Sequence, residues 1–238
     1  MTSQPRVALV TGATQRLGAH LARTLGDLGW HVLINSRSHE GGAGELEGGV
    51  AHGSMRLIRA DVSSRAEVAA MFADVRDIEG RLDLLINNVG VYIPKPLMEV
   101  TLDEWDVQIQ TNLSGAFYCC HAALPLLEAT GGQVINIGYA GVERLQANPA
   151  AAPYEISKVG LLILTRSLAA AYGPRGVRCN MISPGQLSNS VDLPDDLAAE
   201  IPLGRAGTLD DVAQAMEYLL GADYVTGTNI NVAGGYRL

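Results

Sequence analysis

The chain has 238 residues, 47% of them hydrophobic, and a formal net charge of -8 at pH 7. Its length and apolar content predict one α/β domain that covers residues 1–238 and buries a sizeable core. The negative charge argues against nucleic acid or an anionic membrane as a partner, although local arginines can still bind an anionic cofactor. Three cysteines without metal-ligand or disulfide spacing, and no leader or membrane-length apolar run, favour a cytoplasmic protein with reduced core thiols.

Short β-branched runs alternate with helical patterns along the chain. Most strand candidates are continuous apolar runs, which is typical of strands buried on both faces of a parallel sheet. The predicted strands are 6–11, 31–35, 56–60, 82–87, 133–137, 177–182 and 229–232, and the predicted helices are 17–28, 65–78, 102–129, 154–172 and 209–220. The Gly-rich stretch 41–49 is predicted to be a loop or weak helix. This alternation predicts a single-domain Rossmann fold, a doubly wound seven-stranded parallel sheet with helices on both faces.

The first strand ends in a glycine-containing turn that opens a helix. Such a turn directs backbone N–H groups and the positive end of the helix at an anion, which suits the pyrophosphate of a dinucleotide. Gly12 permits the tight turn and Gly18 lets the helix pack close to the strand. Thr14, Arg16 and Leu17 complete the predicted cofactor contacts. Two such glycines are weak evidence alone, but their place at the first strand–helix junction strengthens the prediction.

The end of the second strand predicts which nicotinamide cofactor binds. NAD sites usually carry a carboxylate here, which binds the ribose diol and would repel a 2′-phosphate. This chain has Ser36, Arg37 and Ser38 instead, and no acid before Glu40. A guanidinium flanked by hydroxyls suits a phosphate monoester, so NADP(H) is favoured over NAD(H). The alternative is that Arg37 is an ordinary surface residue and that the preference is decided elsewhere.

Tyr154 and Lys158 lie four residues apart at the start of a long apolar helix. This spacing puts both side chains on one helical face, so we expect the ammonium to lower the pKa of the phenol. Lowering it from about 10 to near neutrality would take roughly 4 kcal/mol of differential stabilisation, which the lysine and the charge on a nicotinamide ring are expected to supply together. The tyrosine would then give a proton to a substrate oxygen or nitrogen as hydride arrives, and reverse that step in oxidation.

These features, in this order, resemble the short-chain dehydrogenase/reductase family. The family has a TGxxxGxG pattern in its first turn, of which Thr11, Gly12 and Gly18 are present. Arg16 replaces the middle glycine, which resembles pteridine reductases, where an arginine reaches cofactor phosphate and substrate. The alternative is a solvated arginine on the first helical turn. The resemblance covers essentially the whole chain and implies a nicotinamide-dependent oxidoreductase, a homotetramer packed through helices 102–129 and 154–172.

Further cofactor residues follow from the resemblance. The family's nucleotide-binding segments after the third and fourth strands correspond to Asp61, Val62, Asn88 and Gly90. The family's nicotinamide loop and the residues after it correspond to Pro184, Gly185, Leu187 and Asn189. The segments 201–205 and 225–235 resemble 3-oxoacyl-carrier-protein reductases.

The resemblance also assigns catalytic roles. Tyr154 is the acid/base, and Lys158 additionally binds the ribose hydroxyls of the cofactor. Asn112 resembles the family asparagine whose backbone anchors a water that relays protons to the lysine. Local backbone bonding of a mid-helix asparagine is the alternative.

The pattern departs from the family after the fifth strand, where the usual third catalytic residue is a serine. Tyr139 stands in that place. Its hydroxyl could donate a hydrogen bond to the substrate from a longer arm, its ring could form an aromatic wall, or catalysis could have been lost. Pteridine reductases also lack the serine, so its absence does not by itself abolish activity.

A flat or lipophilic small-molecule substrate is expected, since the residues predicted to face the nicotinamide are mostly apolar or aromatic. They are Val91, Tyr92, Ile93, Tyr139, Gln146, Gln186 and Leu187. The segment 191–200 is predicted to be a short acidic lid that disfavours a highly anionic substrate. The leading hypothesis is an NADP-dependent reductase of ketones or 3-oxoacyl-type substrates. The alternatives are a pterin-type C=N reductase and a catalytically silent NADP(H)-binding sensor or assembly subunit.

Overall fold

The computed structural model describes residues 4–38, 50–190, 193 and 195–237. Its strands are β1 (Val7–Val10), β2 (His31–Ser36), β3 (Ser54–Arg59), β4 (Leu84–Asn87), β5 (Gln133–Ile137), β6 (Arg178–Pro184) and β7 (Asn229–Val232). They form one sheet in the order β3-β2-β1-β4-β5-β6-β7, and every neighbouring pair is parallel. This topology confirms the predicted doubly wound Rossmann fold.

Helices cover both faces of the sheet because its central strands are apolar on both sides. They are α1 (Arg16–Asp27), α2 (Arg65–Asp74), α3 (Leu102–Ile109), α4 (Gly115–Thr130), α5 (Ala152–Tyr172), α6 (Leu197–Glu200) and α7 (Leu209–Gly221). Successive residues of β1 point to opposite sides: Leu9 packs in a core with α2 and α4, and Val10 in a second core with α1 and α7. The two cores together hold the carboxyl edge of the sheet, where the first turn lies, in a defined position.

The predicted helix 102–129 is interrupted, which corrects the sequence analysis. A π-helical turn, Gln110–Ser114, separates α3 from α4. Asn112 lies at the centre of this turn, and such turns often occur at functional sites. The predicted helix 65–78 likewise ends as a π-helical turn, Val75–Glu79. A regular apolar pattern does not reveal a change of hydrogen-bond register, so the sequence could not predict either turn.

The bounds of the other elements agree with the predictions to within two residues. The predicted loop 41–49 lies outside the described residues, as do three positions of the predicted lid, whose remainder contains α6. Cys119, Cys120 and Cys179 are buried and free, and burial raises the pKa of Cys120 to about 12, so these thiols are inert core residues. None of the helices in the described ranges is both long and apolar enough to cross a membrane.

Candidate active site

The winding of the sheet reverses at β1, which lies between β2 and β4. In such folds ligands bind in the crevice beyond the carboxyl ends of these strands. Asn88, just past β4, bridges the crevice, since its side-chain amide donates to the carbonyls of Thr11 and Gly12 at 3.0 and 3.1 Å. Its backbone N–H donates to the Thr11 hydroxyl at 2.9 Å. Asn88 thereby holds the turn after β1 against the end of β4.

The turn after β1 is as tight as its glycines predict. Gly12 has a φ of +60°, and a Cβ on Gly18 would lie 2.4 Å from the Gly12 carbonyl oxygen. Helix α1 begins without a side-chain cap from Gln15 and without an acidic residue in its first turn. Within the described part of the chain, its first N–H groups therefore remain available to an anion. The turn fits a pyrophosphate.

The three predicted cofactor residues between these glycines differ in their surroundings. Thr14 is partly buried in the turn, whereas Leu17 packs against the core beneath α1 and can offer a ligand only its backbone. Arg16 is exposed, and its φ of +50° is uncommon for a residue other than glycine. Its side chain lines the large cleft described below. A ligand in that cleft can reach Arg16.

The carboxyl end of β2 carries the residues predicted to bind a 2′-phosphate. The Ser36 hydroxyl donates to the Ser38 carbonyl at 2.7 Å. The Arg37 side chain is 81% exposed, and its guanidinium lies 3.8 Å from the Asp61 carboxylate. Among the residues that the structure describes, this one long ion pair leaves most of the guanidinium N–H donors able to meet a phosphate. Val62, by contrast, is buried in the core shared with α2 and α4, so its side chain faces away from this surface.

Tyr154 and Lys158 lie on successive turns of α5. Lys158 is buried, and its ammonium lies 5.9 Å from the centre of the Tyr154 ring. The Lys158 Nζ donates to the Ile137 carbonyl at the end of β5, at 2.7 Å. Burial lowers the pKa of Lys158 to about 8. The structure thus brings the two groups together as predicted, but directs one proton of the ammonium at the main chain.

Burial opposes the lowering of the Tyr154 pKa that the sequence predicts. Burial raises the pKa of Tyr154 above its ordinary value, the neighbouring tyrosines and Glu155 raise it further, and only Arg237 lowers it. Lys158 does not offset these effects, because burial lowers its pKa to about 8 and it has therefore lost its charge at the higher pH at which the phenol would ionise. The Tyr154 phenol is therefore protonated at neutral pH.

Asn112 connects the loop after β4 to helix α5. Its side-chain oxygen accepts from the Val91 N–H at 2.7 Å, and its amide donates to the Val91 carbonyl at 2.9 Å and to the Ser157 hydroxyl at 3.1 Å. The bonding is therefore to distant residues, not to the local backbone as the alternative prediction held. A Cβ at Gly90 would lie at ordinary contact distances from the Lys158 Nζ and the Asn112 side-chain oxygen, 3.6 and 3.8 Å, so this position leaves room for one small group beside the network.

Tyr139, in the place of the family serine, belongs to a polar cluster. Its ring centre lies 5.7 Å from that of Tyr154. Burial, together with the charge of the Glu155 carboxylate, raises the pKa of Tyr139 to about 12. Glu155 accepts from the Asn148 amide at 2.8 Å and lies 3.5 Å from the Arg237 guanidinium. Tyr139 therefore lies beside charged groups as well as beside the Tyr154 ring.

A cleft of about 370 Å³ lies between these groups and unites residues far apart in sequence. The residues in its wall that the sequence analysis had singled out are Arg16, Tyr92, Tyr139, Tyr154, Pro184, Gly185 and Gln186. Those it missed are Gly138, Ala140, Asn148, Ala151, Glu155, Ser190, Tyr236 and Arg237. Glu155 could have been found, since it follows Tyr154 directly. Nothing in the sequence indicated Tyr236 and Arg237, because only the order of the strands in the sheet brings the segment after β7 to the cleft.

Several predicted residues lie elsewhere, which corrects the sequence analysis. The predicted wall residues that do not line this cleft are Val91, Ile93, Gln146 and Leu187. Leu187 is buried in the core with α1 and α7. Its backbone N–H donates to the Ser190 hydroxyl at 2.9 Å, and this turn brings Ser190 to the cleft while Asn189 is exposed outside it. Asn189 therefore stays a predicted cofactor residue, with Ser190 beside it in the wall of the cleft.

Known proteins are similar to this chain in sequence. A family model described as enoyl-(acyl carrier protein) reductase matches residues 12–237. The 3beta-hydroxysteroid dehydrogenase 1 of Eggerthella lenta is 35% identical over 98% of this chain and 94% of its own length. A 3-oxoacyl-acyl-carrier-protein reductase of Staphylococcus aureus is 35% identical over 96% of each chain. The chain belongs to the short-chain dehydrogenase/reductase family.

A solved structure of this short-chain dehydrogenase/reductase fold agrees with the assignment. A blue fluorescent protein from a metagenomic library, in complex with NADPH, matches with a TM-score of 0.88 at 30% identity and covers 98% of each chain. The family, the named dehydrogenase and reductase relatives, and the sheet order together make the protein a nicotinamide-dependent oxidoreductase.

Proposed function

We propose that this short-chain dehydrogenase/reductase is an NADP-dependent carbonyl reductase acting on a ketone or 3-oxoacyl-type substrate, with Tyr154 as proton donor. The observation that carries the proposal is the cleft, whose wall contains both Tyr154 and the Pro184–Gly185 loop. The Lys158 ammonium lies 5.9 Å from the centre of the Tyr154 ring. The 3-oxoacyl reductase among the relatives supports this substrate class.

A nicotinamide dinucleotide fits the residues present. The uncapped start of α1 would hold the pyrophosphate, and Arg37 would hold the 2′-phosphate. The space at Gly90 would admit the ribose within reach of Lys158. When bound, the cofactor supplies the hydride. Gly12 and Gly18 support the same fit, since side chains at these positions would fill the turn.

The protonation of Tyr154 suits reduction, in which the substrate oxygen must gain a proton. Burial keeps the phenol protonated until the substrate takes that proton. Lys158, with a pKa of about 8, is mostly charged at neutral pH and would stabilise the phenolate as the proton leaves. Asn112 would keep the loop after β4 against α5 during this step.

Arg37→Ala should raise the KM for NADPH by about 10- to 100-fold and leave the KM for NADH nearly unchanged, because charge-assisted bonds to the 2′-phosphate are lost. Steady-state rates with both cofactors on one substrate measure this. Arg23→Ala, on the exposed face of α1, is the matched control and should alter neither constant. Equal losses with NADPH and NADH in Arg37→Ala would contradict the proposed phosphate contact.

The absorbance of NADPH in the presence of ketones, a 3-oxoacyl thioester and a dihydropterin tests the function. Turnover of a ketone or the thioester is expected. Pterin reduction is the second candidate. Arg16 favours it because pteridine reductases carry an arginine at this position, and Tyr92 favours it because an aromatic ring can stack on a flat pterin; both residues line the cleft. Turnover of the dihydropterin alone would favour it, whereas tight NADPH binding without turnover of any compound would favour the silent binding protein.

We also infer a homotetramer packed through the predicted helices 102–129 and 154–172. Large apolar side chains on them are exposed in the single chain, among them Val107, Phe117 and Ile163 at 47, 46 and 62%. Such surface is usually covered by another protein. The cytoplasmic location and the assignment of residues 1–238 to one domain stay predictions.

A further inference from the structure

Arg237, which follows β7, has no part in the proposed proton transfer, yet it lines the cleft with Tyr154. Its φ of +54° is a left-handed conformation that a residue other than glycine keeps only when its surroundings hold it there. Its side chain passes over Gly141, where a Cβ would lie 3.1 Å from the Arg237 Cβ. Its guanidinium lies 5.9 Å from the centre of the Tyr139 ring. The structure thus places the guanidinium at the wall of the cleft.

The charge of Arg237 is only partly compensated. Glu155 lies 3.5 Å from the guanidinium, farther than the 2.7–2.9 Å that is typical of charge-assisted hydrogen bonds. The same carboxylate also accepts from the Asn148 amide, and the centre of the Tyr236 ring lies 5.3 Å from the guanidinium. A guanidinium has five N–H donors, so with respect to the described residues others remain for a ligand, and 38% of the side chain is exposed.

Among the described residues, the charged side chains that line the cleft are Arg16, Glu155 and Arg237. Arg16 begins α1, at the turn that suits the cofactor phosphates. Arg237 is therefore the cation left for the substrate. A carboxylate can meet a guanidinium through two parallel N–H···O bonds in which both partners are charged, and a neutral ester does not offer this.

We propose that Arg237 selects the substrate by binding a carboxylate, so that short keto acids, or the matching hydroxy acids in oxidation, are preferred. The inference rests on the proposed carbonyl-reductase function and narrows its substrate class. It is compatible with the predicted acidic lid, which disfavours highly anionic substrates, because a short keto acid carries one negative charge.

The test compares acetoacetate with methyl acetoacetate, which has the same 3-oxo group and no charge. With NADPH, the wild type should have a kcat/KM for acetoacetate at least about 10-fold above that for the ester. Arg237→Met keeps the side-chain length and removes the charge. It should lower kcat/KM for acetoacetate about 30-fold more than kcat/KM for the ester, mainly through KM, because both reactions share any effect on Tyr154 and only the acid loses the charge contact.

Arg166→Met is the matched control, since Arg166 pairs with Glu143 and does not line the cleft. This variant should have wild-type kcat/KM values for both substrates. Arg237→Lys keeps the charge without the two-pronged geometry, so it should retain a reduced preference for the acid. If Arg237→Met does not fold, Arg237→Lys tests the proposal by itself. A ratio of kcat/KM for acetoacetate to kcat/KM for the ester equal to that of the wild type would contradict two-pronged binding.

Three results would overturn the inference: equal use of acid and ester by the wild type, equal loss on both in Arg237→Met, or reduction of other ketones but of neither compound. Failure of the wild type to reduce any ketone or thioester would instead overturn the proposed function. The two failures are therefore distinguishable in one set of assays.

Discussion

Tyr154→Phe should lower kcat by about 1000-fold, because the substrate oxygen loses its proton donor while hydride transfer keeps its geometry. The ring remains, so its edge contacts with Tyr92 at 4.9 Å and Tyr139 at 5.7 Å between centroids should persist. Binding of NADPH should therefore change little. Single-turnover oxidation of NADPH on an identified substrate measures the first effect, and a fluorescence titration of the cofactor measures the second.

Tyr172→Phe provides the matched control for this loss. Tyr172 lies at the other end of α5, beside Arg175, and does not line the cleft. The control should retain wild-type turnover. Undiminished turnover in Tyr154→Phe would show that another group protonates the substrate and would refute the proposed role. Tyr139 would then be the next residue to replace.

Lys158→Met should lower kcat by about 100-fold or more, because the phenolate left by proton transfer loses its neighbouring cation. The methionine fills a similar volume. It does not donate to the Ile137 carbonyl, which Lys158 reaches at 2.7 Å. Turnover at saturating NADPH and substrate measures the loss. A rate equal to that of the wild type would show that the phenol needs no cation.

The same variant should have a different dependence of stability on pH. Burial lowers the pKa of Lys158 from 10.5 to about 8 in the folded protein. Between these values the unfolded chain holds a proton that the folded chain has released, so this group stabilises the wild type progressively as pH rises. Below pH 8 the lysine is charged in both states, and its burial costs the folded state about 3 kcal/mol relative to high pH.

The free energy of unfolding of Lys158→Met, taken relative to the wild type, should therefore fall as pH rises from about 8 to 10.5. Tyrosines and cysteines common to both proteins largely cancel in this difference. Urea unfolding at several pH values measures it. A constant difference across this range would show that Lys158 titrates in the folded protein as it does in water.

Local patterns in the sequence determined the fold and half of the site. Continuous apolar runs predict buried parallel strands, because each strand must be covered on both faces wherever it lies in the sheet. Gly12 and Gly18 allow the tight turn between the first strand and the first helix, and the spacing of Tyr154 and Lys158 is a property of one helix. Such features depend on neighbours a few residues away, so they can be recognised without knowledge of the remaining chain.

Only the tertiary structure decided the electrostatics of the site. The pKa of Tyr154 is raised because burial removes water from the phenol, and burial depends on every element that surrounds it. Burial and the charge of Glu155 raise the pKa of Tyr139, and Arg237 reaches the cleft because the order of the strands brings distant segments together. Periodicity and spacing carry no information about such contacts, since their energies arise between residues far apart in the chain.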